Sequence, residues 1–238
     1  MAQVINTNVA ALFAGAALNK SALALQTAQQ RLSSGLRINS AKDDPTGLVI
    51  ATGYDASVRG TNIAIQNANN AISTAQTNDG YAAQIVSNLQ RLHEIFIQTG
   101  NTSTVESAAL ISENARISAL TTKDPQAVTV DGNGGTVNGT ATAVTAPTGS
   151  TASLVLADIN AVTQDRAAYG ADMATFGSAV ATMQSTSVNL SASYSRIMDT
   201  DYAAETTNMT RNNILQQAGT AVLAQANQTP NTVLTLLK

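Results

Sequence analysis

The sequence has no cysteine, no tryptophan and one histidine, and only 11% of its 238 residues are charged. Without cysteine there are no disulfides and no thiolate metal sites. With His93 alone, a multi-histidine metal site is excluded as well. The formal net charge of -3 offers no basic field to nucleic acid or to an anionic membrane. Aromatic residues make up 3%, so a core must be built from Ala, Leu, Ile and Val. A charge content far below the ~25% of a typical soluble domain suggests a surface that associates. Long helical bundles meet both conditions, because small residues let helices approach closely. No uninterrupted run reaches the roughly 18–20 apolar residues of a membrane span, so no membrane partner is expected. The start, Met1-Ala2-Gln3, has no basic region. The apolar stretch 9–18 is interrupted by Gly15 and followed by Asn19-Lys20. These features predict a cytoplasmic chain, or one exported without a cleaved signal.

What is present is periodicity. Before Arg31 the only charged side chain is Lys20, and between Asn212 and Leu237 there is none. A solvated helix normally carries a charged face. Both ends nevertheless show helical spacing. Ala11, Ala14, Leu18, Ser21, Leu25, Ala28 and Leu32 step by three and four, as do Ile214, Ala218, Ala221 and Gln225. The spacing predicts end helices enclosed by other chains; the alternative is a pair of unstructured polar tails. Leu18, Leu25, Leu32, Ile214, Leu215, Val222, Leu223, Leu236 and Leu237 are the candidate assembly residues.

Two longer runs lie between the ends. One steps through Val58, Thr61, Ile65, Ala68, Ile72, Ala75, Asp79, Ala82, Val86, Leu89, His93 and Phe96. The other steps through Ile159, Val162, Arg166, Tyr169, Met173, Phe176, Val180, Met183, Ser187, Leu190, Tyr194 and Ile197. Seams of this length mean a coiled coil or a long bundle. Asp43-Asp44-Pro45 signals a helix start near Pro45, and Gly100-Asn101 a helix end. Residues 105–120 read as a shorter helix folding back. From Thr121 to Ser153 there is no Leu, Ile, Met or aromatic residue. Val128-Thr129-Val130 and Thr136-Val137 flank Asp131-Gly132-Asn133-Gly134-Gly135 as a small β-hairpin or an exposed loop. The fold class is therefore dominated by α-helix: a long antiparallel bundle with paired terminal helices and a small excursion in the middle, out and back, with both termini at one pole.

Residues 1–8, Met-Ala-Gln-Val-Ile-Asn-Thr-Asn, and 31–44, Arg-Leu-Ser-Ser-Gly-Leu-Arg-Ile-Asn-Ser-Ala-Lys-Asp-Asp, resemble the N-terminal signature of bacterial flagellins. Gln216-Gln-Ala-Gly219, Val222-Leu-Ala-Gln-Ala-Asn227, Leu236-Leu-Lys238 and Arg196-Ile-Met-Asp-Thr-Asp-Tyr-Ala203 resemble the C-terminal one. The resemblance covers about 1–98 and 188–238, and its length implies a short form without large outer domains. It implies a structural, non-enzymatic subunit of an extracellular filament used for motility. Residues 1–44 and 198–238 would form an inner coiled-coil domain, disordered in the free monomer and folded on assembly to line the filament core. Residues 45–125 and 154–197 would form a helical rod, with 126–153 as a short Gly/Thr-rich exposed excursion. The partners it implies are further copies of the chain, hook-associated junction and cap proteins, and an export chaperone on about 199–238 during type III export. Gln90, Arg91, Leu92, His93, Glu94 and Ile95 resemble the segment bound by a host innate immune receptor. His93 and Phe96 depart from that segment's usual residues, so receptor activation stays open.

Other chemistry finds little support. His93-Glu94 lacks the second histidine four residues on that a zinc-protease helix needs; Ile97 stands there. Asp43-Asp44 lack further oxygen ligands for a cation and fit a helix cap better. The glycines at 132, 134, 135 and 139 open no helix and make no dinucleotide fingerprint. No cofactor is expected. Asn101-Thr-Ser103 and Asn138-Gly-Thr140 read as incidental sequons, with O-glycosylation of the middle segment left open. A hook–filament junction protein is the alternative role on the same architecture.

Overall fold

A computed structural model describes residues 7–121, 127–129, 135–140 and 143–236, apart from the side chains of 127 and 229–236. Along the chain run α1 (Val9–Ser34), α2 (Pro45–Thr99), α3 (Val105–Leu120), β1 (Ala127–Thr129), β2 (Thr136–Asn138), α4 (Ala152–Met198) and α5 (Tyr202–Leu236). They form two compact units: Gly53–Ala192, and Met1–Thr52 with Ser193–Lys238.

In the unit Gly53–Ala192, α2 and α4 run antiparallel. Asn62 meets Ser187, Asp79 pairs with Arg166 at 2.7 Å, and His93 Nδ1 donates to the Ala152 carbonyl at 3.1 Å. The α4 seam is the one the spacing marks: Val162, Tyr169, Phe176 and Met183 are buried, with the intervening members half-buried. On α2 the expected seam is half right. Thr61, Ala68, Ala75, Ala82, Leu89 and Phe96 are buried, but Ala64, Ala71, Asn78, Ile85 and Leu92 share the core with them. Ile65, Ile72, Asp79, Val86 and His93 are only half-buried. The physical reason is steric. Tyr169 and Phe176 are fully buried among alanines, Tyr169 with Ala75 and Ala82, Phe176 with Ala64, Ala68 and Ala71. An aromatic ring fits opposite small residues, so the larger Ile65, Ile72 and Val86 are rotated to the flank.

Helix α3 starts with a capping box. Thr104 accepts from the Ser107 N–H, and Ser107 Oγ accepts from the Thr104 N–H. It lies antiparallel to α2, with Asn88 donating to Asn114 and Arg91 paired with Glu106. The α2 end is turned by Gly100 and Asn101, both at positive φ (65° and 67°), and the Asn101 carboxamide oxygen accepts from the Ala152 N–H at the start of α4. The hairpin forms as an antiparallel pair with Val128 opposite Val137. The excursion is not simply exposed, however: Val128 and Val144 are buried against the helices. Its return is bound to α4, because the Thr140 N–H and hydroxyl donate to the buried Asp172 carboxylate at 2.9 and 3.0 Å. Val130 of the expected first strand and 131–134 of the expected turn lie outside the described residues.

In the other unit, α1 and α5 run antiparallel. Asn8 donates to the Ala226 carbonyl at 2.8 Å, the Leu18 side chain packs against Gly219, and Arg31 faces Glu205. A small cluster of Ile38, Ala51 and Met198, flanked by Leu36, Leu48, Tyr194 and Ile197, packs beside their joined ends. The α1 stripe from Ala11 to Leu32 is the inward face, with Ala14, Ser21, Leu25 and Ala28 buried. On α5 the stripe Ile214, Ala218, Ala221 and Gln225 is exposed. Glu205, Met209, Asn212, Gln216, Gly219, Leu223 and Ala226 face inward instead. One further difference concerns α1. By length and composition it is apolar enough to cross a bilayer, although Gly15 and Asn19-Lys20 interrupt its apolar run. Its many alanines raise its mean hydropathy.

Phe176→Ala is expected to destabilise the unit Gly53–Ala192 by about 3–5 kcal/mol in chemical denaturation, the cost of emptying a fully enclosed aromatic site. Gly149→Ala is expected to destabilise it too, since a Cβ there would stand 2.7 Å from the Val155 nitrogen. An unchanged midpoint for either would contradict this packing.

Candidate functional site

The α1–α5 unit is tied by a polar joint. Helix α1 ends on Gly35, at φ 72°, whose N–H donates to the Arg31 carbonyl at 2.8 Å. A residue with a Cβ is strained at that φ, and its Cβ would also approach the Tyr202 hydroxyl to 3.2 Å. The chain then pairs with the α4–α5 connection. Arg37 N–H donates to the Met198 carbonyl (2.6 Å) and Thr200 N–H to the Gly35 carbonyl (2.9 Å), around a Leu36–Asp199 bridge. The Arg37 guanidinium donates to the Ile197 carbonyl from Nε and Nη2, at 3.2 and 2.8 Å. The Tyr202 hydroxyl donates to the Leu32 carbonyl at 3.3 Å. Arg31 and Glu205 stand 3.6 Å apart, with the Glu205 side chain 11% exposed. The joint thereby fixes which face of α5 meets α1.

Two aspartates organise the start of α2. Asp44 caps it, accepting the Gly47 N–H at 2.8 Å. The Asp43 carboxylate accepts the Ser40 hydroxyl at 3.0 Å and the Ser40 and Asn39 N–H groups at 2.9 and 3.2 Å. The Ser40 hydroxyl above all, then these two amides, holds the Asp43 pKa below its ordinary value.

Away from the joint, the pair presents apolar surface. Val9, Leu12, Phe13 and Leu23 of α1 and Ile214, Leu215 and Val222 of α5 are all exposed, Phe13 most of all at 77%. Phe13, Ala17, Leu18, Leu215, Gly219 and Val222 help line an open groove of about 490 Å³ between the two helices. The candidate assembly residues divide accordingly. Leu25 is buried, and Leu18, Leu32 and Leu223 are half-buried in the helix pair. Ile214, Leu215 and Val222 are exposed, the last two along the groove between the helices. Leu237 and the side chain of Leu236 lie outside the described residues. Phe13, Leu12, Val9 and Leu23 were not legible as candidates from spacing, because they stand off the seam; the absence of charge around them was the available signal.

The segment from Gln90 to Ile95 belongs to the other unit and is structurally mixed. Leu92 and Ile95 are buried, and His93 is half-buried with its ring bound to Ala152. Gln90, Arg91 and Glu94 are exposed. Arg91 pairs with Glu106 at 3.1 Å and Glu94 at 3.2 Å, and these partners, Glu106 first, raise its pKa. Among the described residues no group of three or more His, Cys, Asp or Glu side chains could hold a metal ion.

Comparison with known proteins gives a consistent result. Residues 5–135 match the family described as bacterial flagellin N-terminal helical region, and 153–237 match the bacterial flagellin C-terminal helical region. A flagellin of Xenorhabdus nematophila is 37% identical over 313 aligned positions, covering 100% of both chains. A flagellin of Salmonella rubislaw is 51% identical over 107 residues, 45% of this chain and 22% of that protein. One of Salmonella muenchen is 54% identical over 101 residues, 42% of this chain and 20% of that one. The matches thus span about a fifth of the length of the Salmonella relatives.

Removing the hydroxyl by Ser40→Ala is expected to raise the Asp43 pKa toward the ordinary carboxylate value. A depressed carboxylate contributes stability above its unfolded pKa and loses it as pH falls through its folded pKa. The variant should therefore lose this contribution at a higher pH than the parent. Carboxyl titration by NMR reads it directly, and an unmoved Asp43 midpoint would rule the serine out as the cause.

Proposed function

The chain belongs to the bacterial flagellin family, and from that premise we propose that it is a structural subunit which polymerises into the extracellular flagellar filament that drives motility. The observation that carries the reading is the exposed apolar surface of a helix pair almost free of charge. Val9, Leu12, Phe13, Leu23, Ile214, Leu215 and Val222 are half or more exposed on most of their surfaces. Burying one such side chain completely contributes about 1.5–3 kcal/mol. The set together is worth on the order of 10 kcal/mol. That is comparable with the roughly 4–15 kcal/mol lost on association. One neighbour covering part of this surface would gain too little. Several neighbours covering all of it at once gain enough, which favours growth on an existing end over spontaneous pairing.

The finer reading follows the same surface. The inner layer is formed by α1 and α5, whose ordering costs conformational entropy until neighbours enclose them. An export chaperone covers about 199–238 before type III export, shielding Ile214, Leu215 and Val222. Junction and cap proteins take the two ends of the polymer. A host innate immune receptor would meet Gln90, Arg91 and Glu94, the exposed members of the segment 90–95. The subunit performs no catalysis.

Seeded polymerisation followed by negative-stain microscopy tests the reading. Full-length chain is expected to extend seeds into long filaments; a chain that only blocks seed ends would make it a junction protein instead. Replacing Ile214, Leu215 and Val222 together by Ser is expected to abolish elongation. The folded monomer's stability should move by about 1 kcal/mol per site or less, because half or more of each side chain already faces solvent. Deleting about the last 30 residues is expected to leave a soluble helical bundle that cannot elongate seeds, since it removes Val222 and the inward partners Gly219 and Leu223 from the α1–α5 pair. Normal filaments from either variant would overturn the proposal.

A further inference from the structure

We propose that Asn138-Gly139 is a site of spontaneous modification, at which Asn138 converts slowly to aspartate and isoaspartate in the folded protein. Asn138 is the last residue of β2, is exposed, and pairs with Ala127 at the open end of the ladder. Its carboxamide makes no hydrogen bond to a described residue. The next residue has no side chain to obstruct ring closure and lies beyond the last ladder pair. The Gly139 backbone nitrogen attacks Asn138 Cγ, forming a five-membered succinimide. The proton of the attacking nitrogen passes through solvent to the side-chain nitrogen, which leaves as ammonia. Water then adds to either ring carbonyl, leaving aspartate or isoaspartate. No oxidant, reductant or enzyme is needed.

Among the described residues no other asparagine is followed by glycine. Asn62, Asn88 and Asn114 lie within helices, where the following N–H is held in the backbone ladder, and Ile63, Leu89 and Ala115 follow them. The position also has a structural consequence. Two residues on, the Thr140 N–H and hydroxyl are bound by the buried Asp172 carboxylate, the contact that returns the hairpin to α4. A new carboxylate at 138 places like charge two residues from that contact.

The test uses the full-length, unpolymerised chain, so it is independent of the filament reading. Peptide mass spectrometry follows the deamidation mass increment at Asn138 in the native and the denaturant-unfolded chain. Opening an exposed strand end costs little, so the native rate is expected within about tenfold of the unfolded rate. Gly139→Ala should slow it in both. A native rate more than about tenfold below the unfolded one, or one unaffected by Gly139→Ala, would overturn the proposal. Asn138→Asp, which reproduces the product, should speed hydrogen exchange at the Thr140 amide severalfold. Unchanged exchange there would overturn the link to Asp172.

Discussion

The small-residue seam between α1 and α5 is the constraint on which the rest depends. Ala14, Ser21 and Ala28 meet a stripe that includes Gln216, Gly219 and Ala226. A Cβ at Gly219 would approach the Leu18 side chain to 3.2 Å, so the fit is close there. Close approach satisfies the geometry of a helix pair but buries little apolar area. The large apolar residues of both helices are left outside: Phe13 and Leu12 on one, Ile214 and Val222 on the other. The other unit reverses this economy. Tyr169, Phe176, Ile85 and Leu89 are fully enclosed, and the small alanines line the space they fill. One unit is thus held by its own core, and the other leaves its best apolar surface exposed.

This difference explains what was legible in the residues. In α4 the aromatic and methionine positions mark the chain's own core, and the seam from Ile159 to Ile197 follows the pattern of their spacing. In α2 only every second expected position is right, because a run rich in alanine gives little contrast between adjacent stripes. The neighbours Ala64 and Ile65 show the outcome: ring packing against Phe176 chose the smaller. In α5 the apolar pattern marks the exposed face and not the one that meets α1. Its inward stripe contains Glu205, Asn212 and Gln216, so a hydrophobicity pattern cannot find it. The stripe through Ile214 that the pattern did find is the exposed one. In a chain proposed to work inside a polymer, apolar periodicity reports every contact the helix will make, including those with other copies.

Local chemistry was easier to read than long-range pairing. The Asp44-Pro45 start, the Gly100-Asn101 turn and the bounds of α3 all follow from short-range capping and positive-φ preferences. Long-range polar contacts left no such trace. Nothing in the spacing joins Thr140 to Asp172, Asn101 to Ala152, or Arg31 to Glu205, since each partner lies far along the chain. These contacts decide how elements dock, not whether they form. Asp172 accounts for a middle segment that is less exposed than its composition suggests.

The scarcity of charge gives the few polar contacts their weight. Surface ion pairs such as Arg59–Asp55 and Arg116–Glu113 join residues of one helix turn and contribute little. Arg31–Glu205 is different because Glu205 is largely enclosed and sits on the inward face of α5. Turning α5 by one stripe would bring Ile214 and Val222 against α1 and gain apolar burial. It would also separate Glu205 from Arg31 and Gly219 from Leu18. A carboxylate left without its partner in a partly enclosed site carries a large penalty. Gly35, with the backbone bonds from Arg37 and Thr200, fixes the direction in which α5 leaves. The polar joint therefore opposes the arrangement that hydrophobicity alone would choose, and by doing so keeps the apolar face of α5 open.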